Sequence, residues 1–208
     1  MYIKIKRFID IVISLIGLVI LSPIFFILIV GIKLDSKGPV LFKQERVGIN
    51  KTLFNMLKFR TMRFDTPKDT PTHLLENPVQ YITRMGKLLR KTSLDELPQI
   101  WNIFIGQMSI IGPRPALWNQ YDLIAERDKY GANDVPPGLT GWAQINGRDE
   151  LPIKIKAKLD GEYVREMGFS LDVKCFFGTI ASVLKSEGVV EGRSENKKEA
   201  ASNKKTSS

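Results

Sequence analysis

Phe8–Leu34 reads FIDIVISLIGLVILSPIFFILIVGIKL, and the rest of the fold follows from how this run meets water. No side chain between Ile11 and Ile32 is charged, about the 20 residues a helix needs to cross a bilayer core. Lys4, Lys6 and Arg7 border the run on one side and Lys33, Lys37, Lys43 and Arg46 on the other. Basic residues collect on cytoplasmic loops, so length predicts a span while the flanks predict that both ends stay on one side. Pro23 cannot donate to the carbonyl of Val19 and its ring crowds that turn, which kinks a helix. Ser22 is expected to heal the kink by bonding back to the carbonyl of Leu18. A bent re-entrant hairpin and a proline-kinked spanning anchor both satisfy these observations. The run is long for a secretory signal, and no alanine before Ala116 supplies an A-x-A cleavage site.

The 208 residues, 43% hydrophobic, suit one domain with its membrane element. A net charge of +9 suits nucleic acid, anionic lipid or a phosphorylated substrate. The membrane segment favours the last two, and no groove-reading motif supports nucleic acid. Cys175 is the single cysteine, which excludes an internal disulfide framework, fits a reducing compartment and, beside Phe176 and Phe177, reads as a packed or interfacial residue. His73 is the single histidine, so neither a His-based metal cluster nor a Ser-His-Asp triad can be assembled.

Val40–Phe42 and Leu53–Phe59 read as a small β-hairpin around Gly48-Ile49-Asn50. Arg63–Asn77 is loop-like. Val79–Lys91 predicts an amphipathic helix with Ile82, Met85, Leu88 and Leu89 on one face and Arg84, Lys87, Arg90 and Lys91 on the other. A second helix is expected from Ser93 to about Ile105, stopped by Gly106. Pro113-Arg114-Pro115 must be a rigid loop, a short helix follows around Leu117–Lys129, and Pro136-Pro137-Gly138 with Gly141 and Gly147 marks another ordered loop. Ile153 to about Lys185 is helical, with Phe169, Leu171, Val173, Phe176, Phe177, Ile180, Val183 and Leu184 as its apolar surface. Trp142 is expected in the core. From Gly188 the chain is polar and predicted to be disordered. The expected division is a membrane helix over 1–37, a cytoplasmic domain over 38–187 and a tail over 188–208.

Chemistry centres on Ser93-Leu94-Asp95-Glu96-Leu97-Pro98-Gln99. Read structurally, Ser93 and Glu96 make a capping box, with Asp95 at the positive end of the helix dipole. Read functionally, two carboxylates lie between a basic helix and an arginine in a proline loop. One suits Mg²⁺ at a diphosphate, and the other can attack phosphorus to give an acyl phosphate. Adjacent helical residues point about 100° apart, which favours two separate roles.

Lys58-Phe59-Arg60-Thr61-Met62, Arg90 ahead of the Ser93–Gln99 run, Gly106-Gln107-Met108-Ser109, Gly112-Pro113-Arg114-Pro115 and the segment from Pro137 to Arg148 (PGLTGWAQINGR) occur in this order. Together they resemble the bacterial sugar transferases, the monotopic polyprenyl-phosphate phosphoglycosyl transferases, over nearly the whole chain to about Gly188. The resemblance implies transfer of a sugar 1-phosphate from a UDP-sugar to polyprenyl, usually undecaprenyl, phosphate with release of UMP, at the cytoplasmic face of the bacterial inner membrane, initiating a surface glycan. It implies Asp95 as the nucleophile that carries a covalent phospho-sugar, Glu96 as the residue placing Mg²⁺, and Ser22-Pro23 as the kink of a re-entrant helix. Lys58, Arg60, Arg90, Arg114 and Arg148 are the candidates for phosphate or substrate. The competing readings are solvated charge for Arg90 and the membrane surface for Lys58 and Arg60. The fold expected is α-rich α+β, with the kinked re-entrant helix, the small hairpin, amphipathic interfacial helices and a compact cytoplasmic catalytic domain. Asp149-Glu150-Leu151-Pro152-Ile153 stands where many family members carry a tryptophan, a departure near the sugar pocket. A homodimer is compatible with the sequence, and the alternative to an enzyme is a membrane-bound basic adaptor.

Overall fold

The computed structural model describes residues 2–64, 66, 78–147 and 151–184. The predicted membrane run forms two helices, α1 (Tyr2–Ile20) and α2 (Ser22–Asp35), bent by 60° at Leu21. Among the described residues no single helix is long and apolar enough to cross a membrane, and this bent pair passes only jointly. Pro23 sits in the first turn of α2, where a missing N–H costs least. The Ser22 hydroxyl donates at 2.8 Å to the carbonyl of Val19 rather than to that of Leu18. Val19 is the carbonyl Pro23 leaves without a donor, so the serine repairs the proline's own deficit.

Three charges at the start of α1, those of Lys6, Arg7 and Asp10, bond to the rest of the domain, while Lys4 is exposed. Lys6, Asp10 and Ser14, spaced four apart, form a stripe only 8, 4 and 3% exposed that turns toward the domain. Lys6 pairs with Asp172 at 2.6 Å, and Tyr2 and Tyr163 donate to the same carboxylate. Arg7 donates to the carbonyls of Ile103 and Phe104 at 2.6 and 2.7 Å. Asp10 accepts from the Ser109 hydroxyl at 2.7 Å and the Ile110 N–H at 3.0 Å. The opposite face of α1, including Phe8, Val12, Ile16 and Val19, remains exposed, as do Phe26, Ile27 and Val30 of α2.

β1 (Leu41–Val47) and β2 (Leu53–Phe59) pair antiparallel as expected, from Leu41 opposite Phe59 to Val47 opposite Leu53. Asn50 and Lys51 take left-handed φ values of 51° and 60° in the connecting turn. The amphipathic helix starts later than its periodicity predicts: α3 spans Arg84–Thr92, because the Thr83 hydroxyl caps it by accepting from the Gly86 N–H. Leu89 is buried on its inner face, while Leu88, expected there too, is half exposed. α4 (Gln99–Ile105) ends at Gly106 (φ 93°), as read from sequence. β3 (Ser109–Ile111) pairs parallel with β4 (Gly138–Thr140), so the second glycine-rich loop contains a strand that its turn residues concealed. α5 (Tyr121–Asp128), α6 (Trp142–Ile145), α7 (Ile153–Glu166) and α8 (Phe169–Leu184) complete the helix-rich architecture. Trp142 packs against the cluster of Ile111, Tyr163 and buried Cys175, in keeping with its core reading. The predicted loop at Arg63–Asn77 falls largely, and the polar tail and His73 wholly, outside the described residues.

Asp10→Ala should strip the acceptor from the Ser109 hydroxyl and the Ile110 N–H, at about 1–3 kcal/mol for each buried donor left unpaired. The unfolding midpoint of the detergent-solubilised protein, followed by circular dichroism, should fall by about 5–10 °C. Asp10→Asn, which keeps one acceptor, should lose less.

Candidate active site

The candidate carboxylates lie on a 3₁₀ turn, Leu94–Glu96, between α3 and α4. The capping box expected at Ser93 and Glu96 does not form. Ser93 adopts a left-handed conformation (φ 56°) and closes α3, donating its N–H to the carbonyls of Leu89 and Arg90. A capping residue takes an extended conformation and offers that N–H to the glutamate, so neither condition is met. Glu96 is therefore released from helix capping and turns to the cations. Leu94 and Leu97 fix the turn by packing on the cluster of Leu28, Ile32, Phe59 and Leu89, which joins it to α2.

Two cations meet on one oxygen of Glu96: Lys58 Nζ at 2.9 Å and Arg114 Nη2 at 3.1 Å from Oε1. All three side chains are partly buried. Burial alone would raise the Glu96 pKa, but Arg114 and Lys58 outweigh it and hold the carboxyl at about 2. Its neighbour behaves oppositely. Burial pushes the Asp95 pKa above its ordinary value, with the Glu96 charge adding to the rise, while Lys58, Arg90 and the residue's own backbone N–H oppose it. Asp95 reads in the sequence as lying at the positive end of a helix dipole, but the 3₁₀ turn is short and burial dominates.

Lys58 is carried by β2, whose Leu57 N–H donates to Asn102 Oδ1 at 3.0 Å. Asn102, 1% exposed, also donates to Asn55 O and Gln107 Oε1, so a buried amide on α4 fixes the strand beside Lys58. Sequence reasoning passed over Asn102, although a lone asparagine inside the apolar stretch Ile100-Trp101-Asn102-Ile103 signals a buried network. It also gave no role to Gln107 or Ser109, which bind Asn102 and Asp10.

Arg114 is presented by its proline loop as predicted. The Pro113 carbonyl accepts from the Gly138 N–H and the Pro115 carbonyl from Arg46, so β4 and β1 grip the loop from both sides. Gly112 and Gly138 approach so closely that a side chain on Gly138 would strike the Gly112 backbone.

Among the basic residues singled out from sequence, Lys58 and Arg114 converge on Glu96. Arg90 acts on Asp95 through its charge and donates its Nε to Thr61 Oγ1 at 2.9 Å. Arg60 does not join the group. Its terminal nitrogens donate to Ser36 and Lys37 at the exit of α2, and its burial answers the expectation of a phosphate or headgroup contact. Arg148 lies outside the described residues. No group of three or more metal-ligating His, Cys, Asp or Glu side chains occurs among the described residues. The adjacent carboxylates nevertheless fit Mg²⁺, which binds through one or two carboxylates together with substrate phosphates and water.

Residues 1–186 match the family model for bacterial sugar transferases. The chain is 40% identical over 184 residues to the uncharacterized sugar transferase EpsL of Bacillus subtilis (strain 168), covering 88% of this chain and 89% of that protein. It is 39% identical over 183 residues to the UDP-glucose:undecaprenyl-phosphate glucose-1-phosphate transferase of Escherichia coli (strain K12), covering 84% of this chain and 39% of that one. It is 36% identical over 193 residues to the UDP-N-acetylgalactosamine-undecaprenyl-phosphate N-acetylgalactosaminephosphotransferase of Aeromonas hydrophila, covering 90% and 45%. The chain thus spans most of the first relative and less than half of the other two. With the family model extending from the membrane hairpin through α8, and with relatives at this identity, the chain belongs to the bacterial sugar transferase family.

Proposed function

We propose that this protein transfers a sugar 1-phosphate from a UDP-sugar to polyprenyl (undecaprenyl) phosphate and so initiates a surface glycan. The observation that carries the reading is the divergence of two adjacent carboxylates, one pushed up by burial and the other held low by two cations. Groups whose environments push their pKa values apart divide labour at active sites. Asp95 attacks the β-phosphorus of the donor, a bond forms from its Oδ to phosphorus, and the bond to the α-phosphate oxygen breaks with UMP leaving. An oxygen of polyprenyl phosphate then attacks the same phosphorus, giving the lipid diphosphate sugar and regenerating the Asp95 carboxylate. Lys58, Arg90 and Arg114 steady the phosphate charge. Glu96 would hold Mg²⁺ with the donor's diphosphate oxygens, where the ion supplies charge neutralisation.

Attachment of both hairpin ends to one domain supports the monotopic reading, and the basic residues on both flanks favour the cytoplasmic face. The start of α1 is bound to α4, β3 and α8 and the end of α2 to α3 and β2, so both ends attach to one domain.

A screen of UDP-sugars with Mg²⁺ should find a donor from which the purified protein releases UMP and gains a phospho-sugar mass before lipid is added. Asp95→Asn should lose turnover by about a thousandfold or more and form no adduct; retained turnover would remove Asp95 from the nucleophile's role. An adaptor without catalysis predicts no UMP release from any donor.

The pH profile gives a second test. Asp95 must be ionised to attack, and its pKa already lies above the ordinary value, so activity falls as pH drops through it. Lys58→Met removes the largest opposing charge, raises that pKa further and should move the acid limb of kcat/KM for UMP release to higher pH. A limb that stays in place or moves down contradicts the coupling.

Single cysteines introduced before Phe8 and after Leu34 in a Cys175→Ser background should label from the same membrane face in sealed vesicles. Labelling from opposite faces would restore the spanning anchor.

A further inference from the structure

Four consecutive residues at the end of β2 attach to four different places. Lys58 meets Glu96, and Phe59, 2% exposed, packs on Phe25 of α2 with ring centroids 5.6 Å apart. Thr61 accepts from Arg90. Arg60 donates from Nη1 to the Lys37 carbonyl at 2.7 Å and from Nη2 to the Ser36 carbonyl and hydroxyl at 2.8 Å each. Arg60 is 6% exposed and its Nε has no hydrogen-bond partner among the described residues, so it is a buried cation held by neutral acceptors. Burial lowers its pKa against the pull of Asp35. Such a group is expensive to bury, and a flexible exit from the hairpin would not require it.

The rest of the exit is built around this clamp. Asp35 accepts from the Met85 N–H at the start of α3 at 2.8 Å, and Lys33 donates to the Gly38 carbonyl at 3.1 Å. Gly38 sits at φ 118°, where a side chain would collide with the Arg60 guanidinium. One short piece of strand thus holds the hairpin's exit through Arg60 and the catalytic turn through Lys58.

We propose that Arg60 is a positioning residue for the lipid-acceptor half of the reaction. It fixes the depth and direction at which the hairpin leaves the domain, and so the level at which a membrane-confined phosphate meets Asp95, without touching either substrate. The inference rests on the two-step transfer proposed above. The soluble donor approaches from water and needs only the side chains around Asp95. The acceptor phosphate stays at the bilayer surface, and a misplacement of about 1 Å costs on the order of 100-fold in rate.

The test uses the full chain in nanodiscs with the donor found by UMP release. Arg60→Met should raise KM for polyprenyl phosphate about tenfold while leaving single-turnover UMP release without acceptor within about twofold. Arg60→Lys should not rescue it, since an ammonium cannot fork across both carbonyls. Ser36→Ala, which removes only the hydroxyl acceptor, should shift the acceptor KM in the same direction by less, and it carries the test if Arg60→Met does not fold. Equal loss in both half-reactions, or no change in either, overturns the proposal. A spin label at Leu21→Cys in the Cys175→Ser background reads hairpin depth without any substrate: Arg60→Met should change it, and an unchanged depth also overturns the proposal. If wild-type protein releases no UMP from any donor, the transferase reading fails, and the depth measurement still decides the clamp.

Discussion

The polar stripe Lys6, Asp10 and Ser14 on an otherwise apolar helix is the constraint on which the rest of the molecule depends. Burying three polar side chains is unfavourable unless each is satisfied, and each is: by Asp172, by Ser109 with Ile110, and by the helix's own carbonyls. The satisfied arrangement exists only when α1 lies on the domain in one register, because sliding by one residue would turn the stripe away from the domain. Arg7 adds a second lock by donating to the Ile103 and Phe104 carbonyls at the end of α4, the first of which also accepts from the Gly106 N–H. With α1 fixed, the 60° bend at Leu21 determines where α2 runs, and α2 in turn supplies Leu28 and Ile32 to the cluster beneath the Leu94–Glu96 turn. The bent apolar helix pair is therefore part of the domain's core.

The same cluster explains why Asp95 and Glu96 diverge although they are adjacent. Leu94 and Leu97 are drawn onto α2, which lowers the turn into a partly desolvated position. Desolvation penalises both carboxylates, and only the one with cations in direct contact recovers the loss. Glu96 has Lys58 and Arg114 on a single oxygen; Asp95 has charge nearby and contributes no such bond to them. Identical chemistry is thus separated by contact geometry within one turn of chain.

Much of this was legible in the sequence. The break at Ser22-Pro23 and the β-hairpin follow from proline's missing donor and from turn chemistry, which are local rules. The end of α4 at Gly106 and the proline-fixed Arg114 follow in the same way. What the sequence did not disclose was non-local. Asp10 reads as the edge of an apolar run until Ser109 and Ile110 come to meet it. Ser93 and Glu96 match a capping box in text, and only the left-handed turn that ends α3 shows that the glutamate faces elsewhere. The parallel β3–β4 pair joins segments whose short length and glycine content hide any strand pattern. Arg60 looked like any basic residue near a membrane, and its burial depends on a glycine and a turn 22 and 24 positions away in the chain.

The convergence of Lys58 and Arg114 on Glu96 orders two otherwise flexible cations. Lysine and arginine lose considerable side-chain entropy when a ligand orders them. Here the ordering has occurred before any ligand arrives, because the glutamate keeps both head groups within 3.1 Å of one oxygen. The proline loop and the Asn102-pinned strand fix the stems from behind. The two cations are therefore already directed to one point in the resting protein. The cost is carried in the resting protein as partial burial of an ion triad, in which Arg114 and Lys58 hold the Glu96 pKa well below the usual carboxylate range while burial raises that of Asp95.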